Sequence, residues 1–361
     1  MKPLTSAGTT DGMKIVGRLP RRAVLLVVVG LLAASVGARF AFAHGTAAPT
    51  PIGSGVVVID TNLAYQGTSA AGTGMVLTSS GEVLTNNHVI SGATTIKVIV
   101  PKTDHSYTAR VLGYDRTADV ALLQLQGASN LKTVSISSAN LPVGATVTAL
   151  GNAGGDGSIS SAAGTVTGLG KSITATDDAG GTEQLTGLIE TNAGVQPGDS
   201  GGPLVNSQGR VAGMDTAASS GFGFRDVSAT DAYAIPIAKA LSVAHAISSG
   251  EASATVHIGS TAFLGIQTES VNAPGYGFGG RSTSASGALV AGVVSGGPAA
   301  SAGLAAGDVI TTINGHTVSS PTAISALVLT QTPGAKIRVA YVDQSGASYT
   351  ASVTLGSGPA Q

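Results

Sequence analysis

Short apolar, β-branched runs separated by turn residues constrain this chain more than any other feature. They are Val56 to Ile59, Met75 to Leu77, Val83 to Leu84, Ile96 to Val100, Val120 to Leu125, Val147 to Leu150 and Val211 to Met214. Runs this short, bounded by Gly, Ser, Asn and Asp, suit the strands of a barrel or sandwich. The 52 glycines in the chain supply turns freely. One helical repeat stands out: Ile237, Leu241, Ala244 and Ile247 recur at helical spacing after Pro236, and Ser248-Ser249-Gly250 ends it. The expected class is all-β, with one helix closing the larger domain.

Composition narrows the function classes. Cysteine is absent, which removes disulfide frameworks, thiolate nucleophiles and cysteine zinc sites. The 18 Lys+Arg against 19 Asp+Glu give a formal charge of -1, without the basic footprint of a nucleic-acid binder. That balance hides an asymmetry: residues 1–43 hold six Lys/Arg and one acid, and the rest of the chain holds 12 against 18.

The leader explains the asymmetry. Lys2, Lys14, Arg18, Arg21 and Arg22 precede an apolar run from Ala23 to Ala38. At ~1.5 Å per residue the run spans ~24 Å, short of the ~30 Å hydrocarbon core. Arg39 then breaks it before the small-residue pattern Ala41-Phe42-Ala43. Residues 1–43 read as an export signal cleaved after Ala43; the alternative is an uncleaved anchor with membrane contact confined to residues 23–38. Either places the bulk of the chain outside the cytoplasm, secreted or in the cell envelope. Behind the leader the expected organisation is a tether at 44–54, a β domain at 55–250, a linker at 251–258 and a smaller domain at 259–357.

Ser200 lies in Gly198-Asp199-Ser200-Gly201-Gly202-Pro203, where glycines let backbone N–H groups approach one point without Cβ obstruction. A serine hydroxyl needs a base within hydrogen-bond reach and a third group that holds the base in the right tautomer. His88, in Thr85-Asn86-Asn87-His88-Val89, follows a strand-turn-strand pattern, which places it at a strand end facing a cleft. Asp119 comes 31 residues later, at the head of the apolar run Val120-Ala121-Leu122, and Ser200 follows 81 residues after that. Asp115 is the rival acid and reads as a turn residue before Arg116. His44, His105, His245, His257 and His316 have no comparable setting.

The order His, Asp, Ser is that of chymotrypsin-type proteases. Thr85-Asn86-Asn87-His88-Val89, Asp119-Val120-Ala121-Leu122 and Gly198-Asp199-Ser200-Gly201-Gly202-Pro203-Leu204, followed by a PDZ-like segment, resemble the HtrA (DegP/DegS-like) serine proteases, in their exported actinobacterial branch. The resemblance covers roughly residues 55–357 and implies a chymotrypsin-type double β-barrel followed by a small PDZ-like domain. It implies Ser200 as nucleophile, His88 as general base then acid, Asp119 as the group orienting His88, and the N–H groups of Gly198 and Ser200 as oxyanion hole. Gly194 takes the position of the pocket floor, with Thr216 and Ala217 contributing wall, so a small apolar residue before the cleaved bond is expected. Protein or peptide substrates are implied, with no metal and no cofactor. The family commonly forms trimers; the stretch Gln66 to Gly72, which would reach a neighbour, is short here, and the oligomeric state stays open.

In the smaller domain, Phe263-Leu264-Gly265-Ile266 resembles the PDZ loop whose backbone N–H groups capture a C-terminal carboxylate. Gly307-Asp308-Val309-Ile310 followed by Ile313-Asn314-Gly315-His316 reads as a strand and an Asn-Gly hairpin, and Pro321 to Leu329 reads as a helix. Three positions depart from the family: Asp199 and Asp215 stand where it generally has Asn, and Asn192 where it has Asp. An Asp215 turned into the pocket would admit basic residues. The competing function is a catalytically inactive envelope scaffold acting through the PDZ-like domain.

Overall fold

The computed structural model describes residues 53–101, 103–176, 182–218, 231–270 and 286–361. Residues 1–43, expected as an export segment, and most of 44–54, expected as a tether, lie outside the described residues.

Six strands form the first barrel: β1 (Val56–Leu63), β2 (Thr68–Val76), β3 (Glu82–Thr85), β4 (Thr95–Val100), β5 (His105–Asp115) and β6 (Val120–Leu125). Their order is β5-β4-β1-β2-β3-β6, and antiparallel pairing of β5 with β6 closes the ring. The one-turn helix α1 (Asn87–Ile90) follows β3. A second closed barrel runs β10-β11-β12-β9-β8-β7, from β7 (Thr146–Gly151), β8 (Ser160–Thr176), β9 (Thr182–Thr191), β10 (Pro203–Asn206), β11 (Val211–Ala218) and β12 (Ala232–Pro236). Closure removes the exposed edges that an open sheet would present. Helix α2 (Ile237–Ser248) then buries Ile237, Ala240, Ala244 and Ile247 on one face. That face joins an apolar cluster that draws Met75, Leu84 and Leu122 from the first barrel and Leu150, Met214 and Ile235 from the second. Burying so much apolar surface between the barrels fixes the seam at which the candidate site is built.

Residues 256–258, expected within a linker, form strand β13 (Val256–Ile258), paired with β5 from Val256↔Asp115 to Ile258↔Gly113. Gly113 is required there because a Cβ would overlap the His257 carbonyl. Chain contacts end this unit at Thr261, and Pro359–Gln361 return to it.

The second unit spans Ala262–Gly358. A short ladder pairs β14 (Thr261–Phe263) with β21 (Gly356–Gly358), and a larger sheet runs β15-β16-β17-β19-β20. Its strands are β15 (Ile266–Ser270), β16 (Ala288–Val293), β17 (Val309–Ile313), β19 (Lys336–Val342) and β20 (Ser348–Thr354), with β18 (His316–Thr317) hairpinned onto β17. Asn314 and Gly315 both have positive φ, 51° and 83°, the two-residue turn that Asn-Gly favours. Helices α3 (Pro298–Ser301) and α4 (Pro321–Leu329) complete it; Ser320 caps α4 by accepting the Ala323 N–H. Val290, Ile310, Ile324 and Val339 meet in its core.

Candidate active site

The first barrel supplies His88 and Asp119. His88 sits on α1, not at a strand end: Thr85 closes β3, Asn86 stays extended, and one helical turn follows. Val89 and Ile90 anchor that turn in the core, which leaves the His88 ring about a third exposed, 35% by side chain. Asp119 stands immediately before β6 in the left-handed region, φ 53°. There its carboxylate accepts the His88 N–H on Oδ1 at 3.0 Å and faces His88 Nδ1 with Oδ2 at 2.8 Å. Asn86 Nδ2 donates to the Asp119 carbonyl at 2.9 Å and holds the turn in place. A carboxylate on Nδ1 keeps the proton on that nitrogen and leaves Nε2 as the acceptor. Asp115 does a different job: its Oδ1 takes Thr117 Oγ1 and the Ala118 N–H, and its Oδ2 takes Thr255 Oγ1.

The second barrel supplies Ser200, in the loop before β10. Gly198 and Gly201 have φ of 99° and 85°, a conformation that favours glycine. A Cβ on Gly201 would overlap Thr73 O and Thr85 Oγ1, and one on Gly202 would overlap Leu150 O. Asp199 turns inward and its Oδ2 accepts the Gln196 N–H at 2.8 Å. Among the described residues the N–H groups of Gly198 and Ser200 donate to no protein acceptor, which leaves both available to an oxyanion.

Two threonines join the halves, and neither role was read from the sequence. Thr73, on β2, donates its N–H to Ser200 O at 2.9 Å and its hydroxyl to Gly198 O at 2.7 Å, and accepts the Asn152 N–H at 2.9 Å. Thr216, on β11, donates its hydroxyl to Asp119 Oδ2, and its carbonyl lies 3.5 Å from Ser200 Oγ. The Thr216 side chain, expected as pocket wall, is thus turned onto Asp119 and buried. Gly194 is exposed, with only Ala162 Cβ near the place a side chain would take. The side chain of Ala217 lies outside the described residues. Asp215 is buried, so it is not offered to a substrate side chain. Asn192 Oδ1 accepts the Thr165 N–H at 2.7 Å and ties β9 to β8.

Thr73→Val tests the tie between the barrels. The swap keeps the volume and strands the Asn152 N–H in a buried position and the Gly198 carbonyl in a half-buried one. At about 1–3 kcal/mol for the buried group and less for the half-buried one, a loss of about 1–4 kcal/mol is expected in denaturant unfolding.

The helix that carries His88 is also clasped from the chain's last residues: Gly92 N–H donates to Ala360 O at 2.8 Å and Asn87 Nδ2 to Gln361 O at 3.2 Å. In the second unit, the carbonyls of Leu264 and Gly265 accept the N–H groups of Ala299 and Val294 at 3.0 and 2.9 Å. These bonds fix the Phe263-Leu264-Gly265-Ile266 loop over α3.

Comparisons with known proteins agree with this architecture. Residues 72–214 match the trypsin-like peptidase domain family, and residues 262–355 match the PDZ domain family. The chain is 34% identical over 316 residues to serine protease PepD of Mycobacterium tuberculosis, covering 83% of this chain and 63% of that one. It is 36% identical over 297 residues to a probable periplasmic serine endoprotease, DegP-like, of Pseudomonas fulva, covering 80% and 56%. The chain therefore spans about three fifths of the length of these curated relatives. A solved HtrA-type protease, AlgW with a tripeptide, aligns over 85% of this chain and 95% of its own at 27% identity and a TM-score of 0.48. A trypsin-like peptidase domain followed by a PDZ domain is the class these matches define. The chain is similar to serine proteases of this two-domain kind.

Proposed function

We propose that the protein is an extracytoplasmic serine endopeptidase that cleaves unfolded or cell-envelope proteins through an acyl-enzyme on Ser200. The observation that carries the reading is the Asp119 carboxylate, which takes His88 through both backbone and ring and is joined by Thr216 to the neighbourhood of Ser200. In the first half-reaction Ser200 Oγ attacks the substrate carbonyl while His88 Nε2 takes its proton, and the Gly198 and Ser200 N–H groups receive the oxyanion. His88 then hands the proton to the leaving amine. Water, deprotonated by the same nitrogen, releases the acyl group in the second half. Asp119 orients His88 and stabilises the imidazolium.

Specificity follows from what the pocket lacks. With glycine at 194, Thr216 turned to Asp119 and Asp215 buried, no carboxylate among these described residues awaits a lysine or arginine, which favours small apolar residues before the cleaved bond. The Phe263–Ile266 loop would take C-terminal peptides by adding them as a strand. The basic, apolar leader and the periplasmic naming of the Pseudomonas relative both support export. Digestion of an unfolded protein, with products sequenced by mass spectrometry, tests the reading. Internal cleavage by the wild type and none by Ser200→Ala is expected; cleavage by both, or by neither, overturns it.

A further inference from the structure

The one-turn helix α1 that carries His88 has little to hold it by itself. A helix of four residues closes too few hydrogen bonds to persist alone, and Asn86 at its start provides no side-chain cap. Its place therefore depends on what packs and bonds against it. Val89 and Ile90 are buried, and Asp119 Oδ1 takes the His88 N–H at 3.0 Å. Two further bonds fix its ends, and both come from residues 360 and 361.

At the start of the turn, Asn87 Nδ2 donates to Gln361 O at 3.2 Å, across 274 positions of sequence. Just past its end, Gly92 N–H donates to Ala360 O at 2.8 Å. Two adjacent residues thus bracket the whole turn. Ala360 is itself buried, and the Gln361 backbone also meets the hydroxyl of Tyr114, a buried residue of β5. Pro359–Gln361 belong to the same compact unit as the two barrels. Seated on β5 as well as on α1, the segment is a fixed point for the helix.

Movement of α1 would be felt in the chemistry. Both contacts between His88 and Asp119 start from this turn, one from its backbone at 3.0 Å and one from the ring at 2.8 Å. A turn free to tilt stretches the two together and carries the ring with it. Misplacement by about 1 Å, caused by a change remote from the reacting atoms, can cost about 10²-fold in rate.

We propose that residues 359–361 form a strap on α1, with Ala360 and the backbone of Gln361 as the positioning groups that hold His88 against Asp119 for proton transfer. The inference rests on His88 being the base of the proposed reaction. The strap acts through two carbonyls and the burial of Ala360, so what matters at 360 is a residue small enough to seat.

The test compares the full-length wild type with Ala360→Glu, Ala360→Gly, Asn87→Ala and the double variant of Ala360→Glu with Asn87→Ala. A glutamate in place of the buried alanine lifts the strap, glycine keeps the carbonyl in the same space, and loss of the Asn87 amide cuts one bond. With an unfolded protein as substrate, Ala360→Glu should lower kcat about 10²-fold and keep KM and its cooperative melt, while Ala360→Gly should retain the rate. Asn87→Ala should lower kcat alone and cost nothing further once the strap is lifted, since both changes act on one set of contacts. Wild-type kcat in Ala360→Glu, an equal loss in Ala360→Gly, or additive losses in the double variant overturn the proposal. Hydrogen exchange of the peptide covering residues 86–93, read by mass spectrometry, reports the strap without reference to activity. Ala360→Glu should speed that exchange while β3 and β6 keep their protection; unchanged exchange overturns the strap. If Ala360→Glu does not fold, Asn87→Ala decides by the same two readings, and wild-type kcat with unchanged exchange overturns the proposal. If the wild type turns over no substrate, the protease reading has failed on separate grounds, and exchange alone judges the strap.

Discussion

An Asp119→Asn enzyme should keep its fold and its KM while kcat falls by about 10⁴. The carboxylate accepts three donors, the His88 N–H, His88 Nδ1–H and the Thr216 hydroxyl. An amide of the same shape offers one oxygen and one NH₂ group. If the NH₂ faces the ring, Nδ1 becomes the acceptor, the proton moves to Nε2, and the ring presents an N–H to Ser200 where a lone pair is needed. The proposed oxyanion donors, the Gly198 and Ser200 N–H groups, are untouched by the change, so the loss is expected on turnover. Steady-state kinetics beside a circular-dichroism melt separates this outcome from simple unfolding. Asp115→Asn is the control: its carboxylate organises the turn with Thr117, Ala118 and Thr255, so it should change stability with kcat nearly intact.

Ser200→Ala is expected to reduce kcat by about 10⁶, leaving only the residual rate that the oxyanion hole and substrate binding provide. Stability should hardly change, because the hydroxyl makes a single long contact, 3.5 Å to Thr216 O, and the loop is held by its backbone. A scaffold acting only through its PDZ domain would be indifferent to this substitution. The two variants together are far from additive: once Ser200 is gone, Asp119→Asn should cost almost nothing further, since both act on one proton transfer.

Much of the frame was legible because it rests on local pattern. The apolar runs at Val56, Val120 and Val147 became β1, β6 and β7, and the repeat after Pro236 became α2. Strands β8 and β9 were not legible. Their sequences are rich in Thr, Ser and Gly, and the pairing register shifts at Gly168 and Lys171, so inward positions such as Val166 and Ile173 fall out of simple alternation. β5 hid for the same reason, with a shift between Val111 and Gly113. His88 and Asp119 stood out as candidates because their flanks are distinctive, and the fold brings the two side chains together, although the single helical turn that carries His88 is too short to leave a period.

What sequence could not reveal is long-range by nature. The Thr73 hydroxyl meets Gly198 across 125 positions, and that of Thr216 meets Asp119 across 97. Nothing local marks either threonine; only closure of both barrels brings them to the seam. Asp215 gave a clue in the opposite sense. A carboxylate stood where the family has an amide, and folding turned that mismatch into a buried acid beneath the nucleophile loop.

The most direct test of the central claim is intact-protein and peptide mass spectrometry after reaction with a fluorophosphonate, which reports a serine activated by a neighbouring base. A single adduct that maps to Ser200 and is lost in Ser200→Ala, His88→Ala and Asp119→Asn is the expected result. No adduct on the folded wild type, or an adduct that persists in His88→Ala, would contradict the account.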